Sequence, residues 1–194
     1  MAADVSDPEL PSQVMHEIRP DILVLNAGAM PTNKPVHEQS WEQFSRIWET
    51  DVRATFNFGK EALLMPMSPG SVVIIVSSGA AIGGSALSGG YAGSKRMQWF
   101  LAQYFQEESN NLKRDIRFMA LIPKQIVGTT ELGHKAAAAY AARQGITEQA
   151  FLDRFGVPLT PEKMGHGVAA LLTDNAYQQG VAFGINGEGL APQN

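Results

Sequence analysis

No cysteine occurs among the 194 residues. That excludes disulfides, thiolate metal ligands and a cysteine nucleophile, and it suits a reducing compartment. Histidine is scarce as well. His16, His37, His134 and His166 make no H-x-x-x-H pair and are too scattered for a recognisable metal site. There is no excess of positive charge: 15 Lys and Arg stand against 19 Asp and Glu, a net charge of -4. Nucleic acid and anionic membranes therefore have no electrostatic claim on the chain. No apolar run approaches membrane-spanning length, the densest being VVIIV from Val72 to Val76. The opening MAADVSDPELP is acidic and polar, unlike a signal or transit peptide. A serine hydrolase needs a G-x-S-x-G elbow, and GGSAL and ALSGG each miss a required glycine. The expectation is a soluble, cytoplasmic protein acting on a small molecule, with no metal, nucleic acid or membrane partner.

What is present reads as one domain, residues 1–194, with hydrophobic content of 44% and charged content of 18%. DILVLN (Asp21 to Asn26), SVVIIVSS (Ser71 to Ser78) and DIRFMALI (Asp115 to Ile122) are short continuous apolar runs. Such runs fit strands buried on both faces of a parallel sheet. Between the first two, Trp41, Phe44, Ile47, Trp48, Val52 and Phe56 recur at helical spacing, with Ser40 as N-cap and Gln43 as its capping-box partner. A second long helix is predicted from about Tyr91 to Ser109, through Met97, Phe100, Leu101 and Tyr104. The stretch from Thr129 to Pro161 reads as helical, PEKMGHGVAALLTD as a further helix, and GVAFGINGEGL as a last strand and turn. Alternating strands and helices point to a doubly wound α/β fold with a parallel sheet. Ligands of such sheets bind beyond the carboxyl ends of the strands. Asn26, Ser78, the segment after Ile122 and the helix start at Tyr91 all fall there.

The segment GGYAGSKRMQWF places Tyr91 and Lys95 four residues apart, stacked on one helix face. An ammonium one turn from a phenol stabilises the phenolate. That equips Tyr91 to exchange a proton with a carbonyl/alcohol pair.

Asn26-Ala27-Gly28 after a strand, Ser78 thirteen residues before Tyr91, and then Lys95 together resemble the short-chain dehydrogenase/reductase family, over nearly the whole chain from about Ala3. Three motifs in order and at the right spacing are far more specific than Tyr-x-x-x-Lys alone. The resemblance implies a Rossmann-like sheet, NADP or NAD as cofactor, and hydride transfer between a carbonyl and an alcohol. It implies Tyr91 as acid/base, Lys95 as its electrostatic partner and a ribose contact, and Ser78 as hydrogen-bond donor to the substrate oxygen. Asn26, Ala27 and Gly28 would lie along the cofactor, Asp4 would touch the adenine, and Ile126 and Thr129 would pack near the carboxamide. Residues 130–160 would form the substrate lid, and the two long helices a homo-oligomer interface.

Two departures from the family pattern carry expectations of their own. Asp51 stands where the family usually has an asparagine of the proton relay, and Lys124 where a glycine follows the proline. The T-G-x-x-x-G-x-G turn and the first βαβ unit are absent, and with them the residue that separates NAD from NADP. The chain alone is therefore expected to be an N-terminally truncated member, poorly stable or aggregating, with DILVLN at an open edge and weak dinucleotide affinity. The alternative reading is a catalytically silent remnant kept for interaction or regulation.

Overall fold

The computed structural model describes residues 2–193, and in it the three apolar runs are strands: β1 (Ile22–Leu25), β2 (Val72–Val76) and β3 (Arg117–Pro123). β4 (Ala182–Asn186) adds in parallel, and β5 (Gly189–Pro192) turns back antiparallel to it. The order across the sheet is β1-β2-β3-β4-β5, with the first four parallel. Helices fill each crossover. α1 (Leu10–Gln13) precedes β1; α2 (Trp41–Ile47) and α3 (Arg53–Leu64) join β1 to β2; α4 (Ala80–Gly83) and α5 (Gly90–Asn111) join β2 to β3. α6 (Glu131–Gln144), α7 (Glu148–Leu152) and α8 (Pro161–Thr173) lie between β3 and β4. This is the doubly wound arrangement expected from the alternation of strands and helices.

Register sorts the strand residues into two cores. Val73, Ile75, Phe118, Ala120 and Ile122 share one face and pack with Phe58 and Ala62 of α3 and Trp99, Ala102 and Phe105 of α5. Ile74, Met119, Leu121 and Phe183 share the other, under Leu171 of α8 with Met164 and Val168 beside it. A strand covered on both faces needs no polar alternation. β3 fits: Phe118 to Ile122 are all 0% exposed.

β1 departs from the expectation of burial on both faces. Ile22 and Val24 are 51% and 41% exposed, because the second cluster reaches β2 through Val72 and Ile74 and goes no further. Leu23 and Leu25, on the other face, do pack against the first cluster.

Ser40 and Gln43 form the expected capping box at the start of α2. The helix is not uniform, however. A π-helical turn, Trp48–Val52, separates α2 from α3, the kind of insertion that re-aims side chains at working sites. The apolar stripe is also only partly core: Ile47 is buried, whereas Trp41 and Phe56 are exposed. The glycine-rich segment after β2 contains the single turn α4. The Ala3 to Asp7 segment is a turn and not a strand end. Among the described residues no helix is long and apolar enough to cross a membrane.

Candidate active site

A cavity of about 820 Å³ lies beyond the carboxyl ends of β1, β2 and β3, and Asn26, Gly28, Ser78, Tyr91, Lys95 and Ile126 all line it. Its geometry starts with two glycines. Gly89 adopts φ +50° with ψ -133°, a conformation closed to most side chains, and lets the chain swing into α5. A side chain on Gly90 would collide with the Phe44 carbonyl, so only glycine lets α2 approach the start of α5. Trp48 Nε1 donates to the Gly90 carbonyl at 3.1 Å, fixing that approach. Tyr91 follows directly.

One turn on, the Lys95 ammonium meets three groups. It is 3.1 Å from Asp51 Oδ2, 3.3 Å from the Val76 carbonyl oxygen, and 5.6 Å from the centre of the Tyr91 ring. The Asp51 side chain is 1% exposed and that of Lys95 8%, so this is a buried ion pair. The other carboxylate oxygen of Asp51 accepts from the Ala29 amide at 2.8 Å. A Cβ on Gly28 would stand 2.6 Å from Asp51 Oδ2, so the absence of a side chain there gives the carboxylate its place. Asp51 thus ties the loop after β1 to the lysine of α5. The π-helical turn that carries it sits opposite α5.

The two adjacent serines separate cleanly. Ser77 is buried and its hydroxyl donates to the Lys95 carbonyl at 2.7 Å, which anchors α5 to β2. Ser78 lines the cavity, its Oγ accepting from the Ala80 amide at 3.2 Å.

Three expected contacts fall elsewhere. Ala27 is exposed and is not among the lining residues. Asp4 lies outside the cavity, where the Ser6 amide and hydroxyl bond its carboxylate and hold it below the usual carboxylate range. Thr129 is exposed, and Thr130 takes the position on the wall. Thr130 caps α6, accepting from the Gly133 amide at 3.0 Å and donating to the Val127 carbonyl at 2.9 Å, which turns its neighbour outward.

The structure adds lining residues that spacing does not disclose. Ser85, Ser88 and Tyr140 meet across the cavity: Ser85 Oγ is 2.5 Å from the Tyr140 hydroxyl and 3.0 Å from Ser88 Oγ. Tyr140 interrupts an alanine run on α6, and that polar interruption was the available signal. Lys124 lines the end near β3, and Phe151, Phe155 and Met164 line the side formed by α7, α8 and the turn between them.

Comparison with known proteins places this geometry in context. Residues 1–187 match the family model described as enoyl-(acyl carrier protein) reductase. The NADPH-dependent pterin aldehyde reductase of Arabidopsis thaliana is 29% identical over 139 residues, covering 68% of this chain and 55% of that protein. The chain therefore spans about half the length of this curated relative. Among solved structures, levodione reductase superposes with a TM-score of 0.78 at 22% identity, covering 96% of this chain and 75% of the other. NAD+-bound xylitol dehydrogenase gives 0.79 at 18% identity, covering 96% and 77%. The 3-ketoacyl-(acyl-carrier-protein) reductase of Brucella melitensis, complexed with NADH, gives 0.72 at 22%, covering 96% and 76%. At these identities the structural likeness speaks for the fold.

Proposed function

The chain belongs to the short-chain dehydrogenase/reductase family, and on that premise we propose that it interconverts a carbonyl and an alcohol by hydride transfer, with Tyr91 as acid/base. The observation that carries this reading is the placement of Tyr91, Lys95 and Ser78 on one cavity at the strand ends. Gly28 leaves backbone free of a side chain on the lining, and Asn26, Ile126 and Val127 line the same cavity, a mix of polar and apolar groups that fits a nicotinamide group. NADP or NAD would be held there by Asn26, Gly28, Lys95, Ile126 and Thr130, with Ala27 adjoining and Thr129 displaced by one position. When bound, the nicotinamide supplies or accepts the hydride.

The chain's own residues manage the charge and the proton. A carbonyl receiving hydride develops negative charge on its oxygen, and donors already fixed in place stabilise it without reorganising. Ser78 donates a hydrogen bond to that oxygen, and Tyr91 delivers the proton from its hydroxyl. The Lys95 ammonium beside the Tyr91 ring compensates the phenolate left behind. Asp51 and the Val76 carbonyl hold the ammonium in position.

The matched aldehyde reductase favours the reducing direction, and its name specifies NADPH, while matched structures hold NADH or NAD+. Residues 130–160 serve as the substrate lid in this reading, since α6 and α7 carry Tyr140 and Phe151 to the cavity. A cytoplasmic location is consistent with the absence of cysteine. Exposed Trp41, Phe56 and Tyr104 on the two long helices favour association of like chains. Oxidation of NADPH and NADH, followed at 340 nm with a panel of aldehydes and ketones, tests the proposal. Tyr91→Phe is expected to lower turnover by about 10²–10⁴-fold. Equal rates in parent and variant, or no turnover by the folded parent, would overturn it.

A further inference from the structure

We propose that the cavity accepts an uncharged, largely apolar carbonyl compound, and that Tyr140 with Ser85 supplies its specificity contact; this rests on the reductase reading and narrows it. Among the described residues, only Asp51, Lys95 and Lys124 bring charge to the lining. The first two form an ion pair at 3.1 Å, and Lys95 faces Tyr91 at the reacting end of the cavity. Lys124 belongs to the β3 end, and its stem lies against Gly184 of β4, where a Cβ would come within 2.5 Å of its Cε. The wall built by α6, α7 and α8 offers Leu132, Ala136, Phe151, Met164 and Val168, none of them charged. An ionised group lodged on that wall would lose part of its hydration against residues that carry no counter-charge, which disfavours it. An apolar body would gain from the same burial.

Besides Thr130, whose hydroxyl is engaged with the backbone of Val127 and Gly133, the polar groups that meet this wall are the hydroxyl trio. Tyr140 stacks on Phe151, with ring centres 5.6 Å apart and planes within 5°, so its ring has a fixed plane. Ser85 fixes its hydroxyl at 2.5 Å. Ser88 stands 3.4 Å from the same hydroxyl, and its carbonyl accepts from the Tyr91 amide at 2.9 Å. The trio is thereby held in register with the start of the Tyr91 helix. Each hydroxyl can donate one hydrogen bond and accept two, so the cluster retains capacity for a neutral polar substituent on the ligand.

Two aldehydes of the same shape separate charge from size: methyl 4-formylbenzoate and its free carboxylate, 4-formylbenzoate. Titration of the 194-residue chain by isothermal calorimetry or saturation-transfer NMR reads binding without turnover. The ester is expected to bind at least about tenfold more tightly than the carboxylate. Leu132→Lys places a cation on the wall at a position already 37% exposed, and it should reverse that order. Tyr140→Phe keeps the stack and removes the hydroxyl; it should weaken the ester about fivefold and leave benzaldehyde unchanged. The proposal falls if the carboxylate binds as well as the ester, if neither aldehyde binds, or if Leu132→Lys leaves the order unaltered. Preferential binding of the ester without oxidation of NADPH or NADH would overturn the reductase reading instead, and would leave the neutral site standing.

Discussion

β1 and β3 are written in the same apolar vocabulary, ILVL and RFMALIP, yet one alternates between exposed and half-buried residues while the other is sealed. β3 has β2 and β4 on its flanks and helices on both faces. β1 pairs with β2 alone among the described residues, and one of its faces lies beyond the reach of the second core. A local apolar run decides that a segment will be a strand; its neighbours decide how much of it is covered. Both strands nonetheless deliver residues to the cavity, Asn26 and Gly28 after β1, Lys124 and Ile126 after β3. Burial fixes the end of β3. The end of β1 is held by the Asp51 carboxylate on the Ala29 amide, an electrostatic clamp where packing is thin.

The contrast is most sharply tested by equivalent truncations. Phe118→Ala removes a fully buried ring that packs 5.4 Å from the Phe105 ring, and it should cost about 3–5 kcal/mol in urea denaturation. Val24→Ala should cost less than about 1 kcal/mol, since 41% of that residue already meets solvent. Similar losses at the two positions would show that β1 is covered after all. Asp51→Ala comes next, at about 3 kcal/mol, because it leaves the Lys95 ammonium buried without its partner. Asp51→Asn retains an acceptor for the Ala29 amide and the volume beside Gly28, so its loss should be clearly smaller. If Asn and Ala destabilise equally, the charge carries the clamp and the amide bond adds nothing.

The strand segments, the placement of the helices between them and the capping box at Ser40 were legible because each follows from patterns within a few residues. The juxtaposition of Tyr91 and Lys95 is legible from helical spacing, whereas Ser78 is read from the family pattern alone. The rest depends on contacts between segments far apart in sequence. Ser77 and Ser78 look alike until β2 docks on α5 and turns one hydroxyl onto the Lys95 carbonyl. Thr129 and Thr130 differ only in which one caps α6. Asp4 was assigned through a resemblance at the edge of the matched region, and a local turn with Ser6 governs it in the structure. The Ser85–Tyr140 contact spans 55 residues, and no motif joins its ends. The apolar stripe of the first long helix misled because helical period reports which residues share a side, not whether anything packs there.

The smallest expected effect on stability belongs to Ile22→Lys, and it isolates the edge of the sheet. Ile22 is 51% exposed and shares its uncovered face with Val24. Replacing it removes little buried area, so the melting midpoint should correspond to a change within about 0.5 kcal/mol. Its effect on association should be larger than its effect on folding. An apolar edge strand with free N–H and C=O groups is a template for pairing with another chain, and a lysine there adds repulsion between like edges. Light scattering over a concentration series should therefore show less self-association for Ile22→Lys than for the parent. Leu23→Lys is the matched control, because Leu23 is half-buried against the first core and an ammonium there should lower stability more than at Ile22. If Ile22→Lys destabilises the fold as Leu23→Lys does, the two sides of β1 are equally covered and the contrast with β3 disappears.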